Sequence, residues 1–156
     1  MFVYSFASAA NETTSATADT LDAYLALRET SQAVWLQTYL LQGKGAALTT
    51  LTGVMHRLRL WTTVGTAGSA ITPEPARPGT PAAKTLVVNG AYTEGTVSGA
   101  TQLAIGHGAA GPGGWMARDS ASAKVLEADS VDEWSFNSIQ SGSVAINFEP
   151  YGEIYE

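Results

Sequence analysis

The chain has 156 residues, 45% hydrophobic and only 14% charged, with a net charge of −6 and no cysteine. Such a hydrophobic content excludes disorder as the overall state, and the acidic balance argues against nucleic acid as a partner. The lack of cysteine excludes disulfides, thiol chemistry and cysteine-ligated zinc. From the first residue onward, "MFVYSFASA" places Phe2, Tyr4 and Phe6 on one face of a strand. No basic stretch follows Met1, so no signal peptide is expected, and no apolar run approaches the roughly 18–20 residues of a membrane span. "DTLDAYLALRET" carries both patterns: Asp19 or Thr20 as a helix cap, or strict alternation through Leu21, Ala23, Leu25 and Leu27, which favours a strand. "AVWLQTYLLQ" is apolar on both faces and is expected to form a buried strand ending at Gly43. In "VMHRLRLWTTV", His56, Leu58 and Leu60 fall on one face and Arg57, Arg59 and Trp61 on the other.

"TPEPARPGTPAAKT", residues 72–85, follows, with four of the six prolines: Pro73, Pro75, Pro78 and Pro81. Proline fixes φ and removes a backbone donor, so this is a stiff loop close to polyproline II. "KTLVVN" and "TQLAIGH" are short strands, and "GHGAAGPGGW" is a second, glycine-rich loop. "VDEWSFNSI" sets Trp134 and Phe136 at strand spacing; "VAINFE" turns Val144, Ile146 and Phe148 inward and Ala145, Asn147 and Glu149 outward. Many short strands with turn signals between them give an all-β fold: one β-sandwich domain over residues 1–156, with long Pro/Gly-rich loops.

Charge is unevenly spread. Lys44, Arg57, Arg59, Arg77 and Lys84 stand in the middle of the chain, whereas Glu127, Asp129, Asp132, Glu133, Glu149, Glu153 and Glu156 follow Lys124. The two groups meet between copies of the chain, pair within one chain, or occupy opposite faces.

No residue pattern demands catalysis. His56 and His107 have no ligand spacing, and His56 belongs on an apolar strand face, as a core histidine. "GHGAAGPGG" lacks the lysine and the following helix of a phosphate loop. The acids Glu127, Asp129, Asp132 and Glu133 lack the spacing of a calcium loop and are read as a solvated acidic loop. Trp35, Trp61, Trp115 and Trp134 leave carbohydrate binding open, with burial as their default. The expectation is therefore a protein that works by contact, not an enzyme, with no cofactor and no metal.

Two stretches carry a resemblance: "RLRLWTTVGTAGSAITPEPARPGTPAAKT", a strand running through a turn into the proline loop, and the closing "VAINFEPYGEIYE". In outline, across most of its length, the chain resembles small β-rich structural proteins of tailed bacteriophages, of the capsid decoration or cement type. It departs from them in "ATADTLDAYLALRE", where the strand signal is weak. The resemblance implies a jelly-roll-like β-sandwich made in the host cytoplasm and carried on the capsid surface. It also implies the major capsid protein as partner, a homo-oligomer with a trimer favoured, and no nucleic acid or membrane. The contact residues it points to are Arg57, Arg59, Trp61, Pro73, Pro75, Arg77, Pro78, Pro81 and Lys84. The alternative is a carbohydrate- or receptor-binding module of a phage tail or fibre. The proline loop is then either an arm that reaches a neighbour or a crossover within the chain.

Overall fold

A computed structural model of the chain describes residues 1–7, 12–13, 20–27, 32–43, 53–61, 69–89, 96–108, 111–119, 121–126, 133–140 and 147–156. Among these residues the regular structure is all strand. In chain order the strands are β1 (Val3–Ala7), β2 (Glu12–Thr13), β3 (Thr20–Leu27), β4 (Val34–Gly43), β5 (Gly53–Trp61), β6 (Ser69–Ile71) and β7 (Glu74–Pro75). They continue with β8 (Thr85–Asn89), β9 (Val97–Gly108), β10 (Pro112–Met116), β11 (Lys124–Leu126), β12 (Glu133–Gln140) and β13 (Asn147–Tyr155). The ambiguous stretch after Asp19 is thus a strand, as its alternation favours.

The strands form two antiparallel sheets. One runs β10-β4-β13-β1-β7, with β11 also on β4 and β2 also on β13; the other runs β6-β8-β3-β12-β5-β9. Tyr4, Phe6, Leu36, Tyr39, Leu41, Phe148 and Ile154 from the first sheet share one buried core with Leu58, Val87 and Ile105 from the second. His56 of β5 is fully buried and meets Phe148 of β13 edge-on, with ring centroids 4.7 Å apart. The period-2 reading of β5 holds from Val54 to Arg59: His56 and Leu58 face inward while Met55 is exposed and Arg57 and Arg59 are half-buried, and the side chains of Leu60 and Trp61 lie outside what is described.

Strand β4 is buried on both faces over Leu36–Tyr39, and beyond that stretch the expectation that both its faces are buried is corrected. Thr38 pairs with Glu153 and Leu36 with Ile154, so Gln37 is an extra residue, a β-bulge. A one-residue insertion exchanges the two faces of a strand. Val34 and Leu36 are buried before the bulge; Tyr39, Leu41 and Gly43 are buried after it, and Leu40 and Gln42 are exposed. The sequence looks apolar on both faces because its phase changes halfway. The bulged Gln37 carbonyl accepts the Ala117 N–H at 2.8 Å.

One further expectation is corrected. "GHGAAGPGGW" is not one loop: β9 runs through Gly108, and Pro112–Met116 is strand β10, paired with residues 38–42 of β4. Proline is tolerated at the first residue of an edge strand, which is where Pro112 stands. At Gly114 a Cβ would lie 2.5 Å from the Leu40 side chain, so the glycine is there to let Leu40 lie across β10. At the end of the chain β13 continues beyond "VAINFE" to Tyr155, and residues 144–146 lie outside the described residues. Pro150 fits inside β13 because pairing with β2 ends at Phe148 and pairing with β1 starts at Tyr151. Gly152 sits under the Phe6 ring, where any Cβ would collide with it.

Candidate functional site

The proline segment leaves the second sheet at Ile71, joins the first sheet for two residues as β7, and returns to the second at Thr85. It is a crossover within the chain, fastened along its length. Glu74 and Pro75 pair with Ser5 and Tyr4 of β1. The Ala76 N–H donates to the Val3 carbonyl at 2.9 Å, and the buried Tyr4 hydroxyl donates to the Pro81 carbonyl at 3.0 Å.

Between those anchors, "RPGT" makes a tight turn. The Thr80 N–H donates to the Arg77 carbonyl at 3.3 Å, and Gly79 has φ +81°. Proline at the second position and glycine at a positive-φ third position are what a type II turn requires. The far end is held by the Glu156 carboxylate. It accepts the Thr85 N–H at 2.7 Å, the Lys84 N–H at 3.0 Å and the Gln32 side-chain amide at 3.2 Å. The Glu156 backbone is itself paired with Phe2 in both directions. Burial raises the Tyr4 phenol pKa, and the nearby Glu156 charge raises it further.

This geometry divides the expected contact residues. Arg77, Pro78, Pro81 and Lys84 are exposed along the crossover and Pro75 is half-buried, but Pro73 is buried and offers no surface to a partner. Arg57 and Arg59 are elsewhere, half-buried on the outward face of β5. Strands β3 and β12 stand between β5 and the β8 strand that the crossover feeds. At about 4.8 Å per strand this is roughly 14 Å. The backbone of Trp61 ends β5 opposite Glu133 and Val97. Arg59 therefore does not flank the proline segment, although Arg77 and Lys84 do.

The structure brings together residues that the sequence reading kept apart. A groove of about 430 Å³ lies between Met1–Val3 and the Ala76–Thr80 turn, with Phe2 and Arg77 in its lining. Phe2 follows the inward phase of Tyr4 and Phe6 but is 48% exposed, because the buried core lies farther along the strand. Pro78 and Gly79 of the turn also line the groove.

Of the other candidates, His56 is a core histidine whose burial pushes its pKa down to about 3, so it is neutral in the fold. The His107 backbone pairs with Val54 in β9. Trp115 is half-buried and packs on the core. Asp129, Asp132 and Glu127 lie outside the described residues. Among the described residues there is no group of three or more His, Asp or Glu placed to hold a metal. Nor is any helix among them long and apolar enough to cross a membrane. Compared with protein-family models, curated proteins and solved structures, the chain matches none.

Proposed function

We propose that the chain is a virion structural protein, a capsid decoration or cement subunit that acts by protein–protein contact. The observation that carries this reading is strand order. Take β1, β3, β4, β5, β9, β10, β12 and β13 as strands one to eight. The first sheet then reads one-eight-three-six and the second two-seven-four-five. One pairs with eight, two with seven, three with six and four with five, as in a long hairpin rolled up on itself. That is the jelly roll, a double-sheet architecture found in viral capsid and lectin domains. The shared core and the His56–Phe148 contact support a two-layer sandwich. On this reading β6, β7 and β8 are an insertion between the fourth and fifth strands, and the proline crossover belongs to it.

The step from fold to role is an analogy, because one fold hosts many functions. It is supported locally by the fastened crossover. A segment already held in place pays little ordering cost when it meets a partner. Its exposed Arg77, Pro78, Pro81 and Lys84 are the contact residues of this proposal, with the major capsid protein as partner and the capsid surface as location. A lectin-like role has less support, since Trp115 packs on the core.

The test uses purified particles. The protein should co-purify with them, and R77E/K84E should remain folded by circular dichroism yet lose particle binding. Particles without the protein would sink the proposal; full binding by R77E/K84E would remove the crossover as the contact.

A further inference from the structure

We infer that the proline segment guards the edge of β1, closing it against strand addition by another chain. The connection from β6 to β8 does not itself require the segment. These strands are antiparallel neighbours, with Ile71 opposite Val87 and Ser69 opposite Asn89. A tight hairpin turn joins two such strands. Residues 72–84 instead leave the second sheet, run to β1 in the first, and return. Of these residues only Pro73 is buried, so core packing does not account for the excursion. What it reaches is the side of β1 that β13 leaves open.

Strand β1, "VYSFA", contains no charge and no proline. From Val3 to Ala7 it pairs along one side with β13. Without β7, its other side would be the edge of the first sheet. Such an edge presents a row of unpaired N–H and C=O groups, a template for a strand from another chain.

The cover is built so that it offers no template of its own. Glu74 and Pro75 lie opposite Ser5 and Tyr4, and the Ala76 N–H donates to the Val3 carbonyl. Backbone N–H groups of successive strand residues point to opposite sides. With the Ala76 N–H turned toward β1, an N–H at position 75 would point away from it, to the open side. Proline stands there and has none. Pro73, two residues earlier and in the same phase, adds no donor either. Among the described strands β7 is the last of the first sheet; it is two residues long, and its Glu74 is exposed. A very short edge strand, a charge on it, and a proline whose missing N–H faces outward are the features that stop a sheet from growing. The spacing of "PEP" thus has a reason: prolines take the outward positions, and the glutamate between them takes the one that faces β1. The guard is separate from the capsid proposal, since isolated protein tests it.

The test removes the guard and keeps both sheets. Replacing residues 74–84 by Asn-Gly preserves the register, since Pro73 then falls opposite Thr85 in line with Ile71 opposite Val87. The change is made together with Y4F, because the Tyr4 hydroxyl would lose its acceptor on Pro81; Y4F alone is the control. By sedimentation over a concentration series, the shortened chain should self-associate with a dissociation constant at least about tenfold below the control's, the worth of one or two backbone hydrogen bonds. Adding S5K, which puts a charge on the bared strand, should reverse this. E74T/P75T, in the chain of full length, restores the outward donor and removes the charge, and should strengthen self-association over wild type without any shortening. A folded shortened chain that associates no more than the control overturns the inference. So does association that S5K leaves unchanged, or an E74T/P75T chain that associates no more than wild type.

Discussion

The proline crossover and the glycine-rich stretch near Trp115 look alike in the sequence and end differently in the fold. Both are rich in residues that interrupt regular structure. Residues 72–84 stay irregular apart from two residues of β7, and are fastened by individual hydrogen bonds to β1, Tyr4 and Glu156. Residues 112–116 become a full strand on β4, with Trp115 on the core and Gly114 under Leu40. Several closely spaced prolines remove donors that a ladder needs, so such a segment can only be pinned from outside. Glycine keeps its donor and gives up only its side chain. It can enter a strand wherever a neighbour covers the space it leaves.

The largest expected effect breaks the glycine-rich side. Trp115→Ala removes the one large side chain that β10 sends toward the core, and should cost about 3 kcal/mol in urea unfolding. Gly113–Met116 amides should exchange faster while those of Thr80 and Thr85 keep their protection. Equal loss in both regions would mean that they are not held independently.

Acid is the next lever, because it strikes the core that carries β10. His56 binds its proton in the unfolded chain near pH 6.5 but in the fold only near pH 3, owing to burial. Between those values the unfolded state holds more protons, so stability falls as pH is lowered, by about 1.4 kcal/mol per pH unit. Denaturation midpoints should show about half of this slope between pH 7 and 6 and nearly all of it between pH 6 and 5, and H56L should flatten it. An unchanged slope in H56L would assign the acid sensitivity to carboxylates.

The crossover is broken from its far end. Glu156→Ala leaves the Lys84 and Thr85 amides without their acceptor and should cost about 1.5 kcal/mol, with faster exchange confined to residues near 84–85. The smallest effect belongs to the turn. Gly79→Ala meets no atom within 4 Å, so its cost is conformational, about 1 kcal/mol for a side chain at φ +81°. Thermal melts of the two variants should keep that order, and a neutral Gly79→Ala would mean that the turn relaxes freely.

Much of this was legible in the sequence where the cause is local. Alternation assigned the faces of β5 and put His56 inside. It placed Tyr4 and Phe6 in the core and favoured a strand after Asp19. "RPGT" carries its turn in two residues, since proline fixes one dihedral and glycine supplies the other. The candidate contact surface was legible only in part. Arg77, Pro78, Pro81 and Lys84 are exposed, but the burial of Pro73 and the distance of Arg59 from the crossover follow from strand order, which no period reveals.

Local sequence carries the strand character of the chain and the face each short segment presents. Side-chain alternation and the φ preferences of proline and glycine act over a few residues. Tertiary structure alone decided the rest. It placed the Gln37 bulge that switches the faces of β4, drew Pro112–Met116 into a strand, and gave Pro150 a place in β13 beyond the end of β1. It also turned the proline segment into a crossover fastened by Tyr4 and Glu156. Each of these depends on which distant strand lies alongside. A backbone donor or a buried ring is satisfied by whatever the fold brings to it, and that partner is often more than seventy residues away.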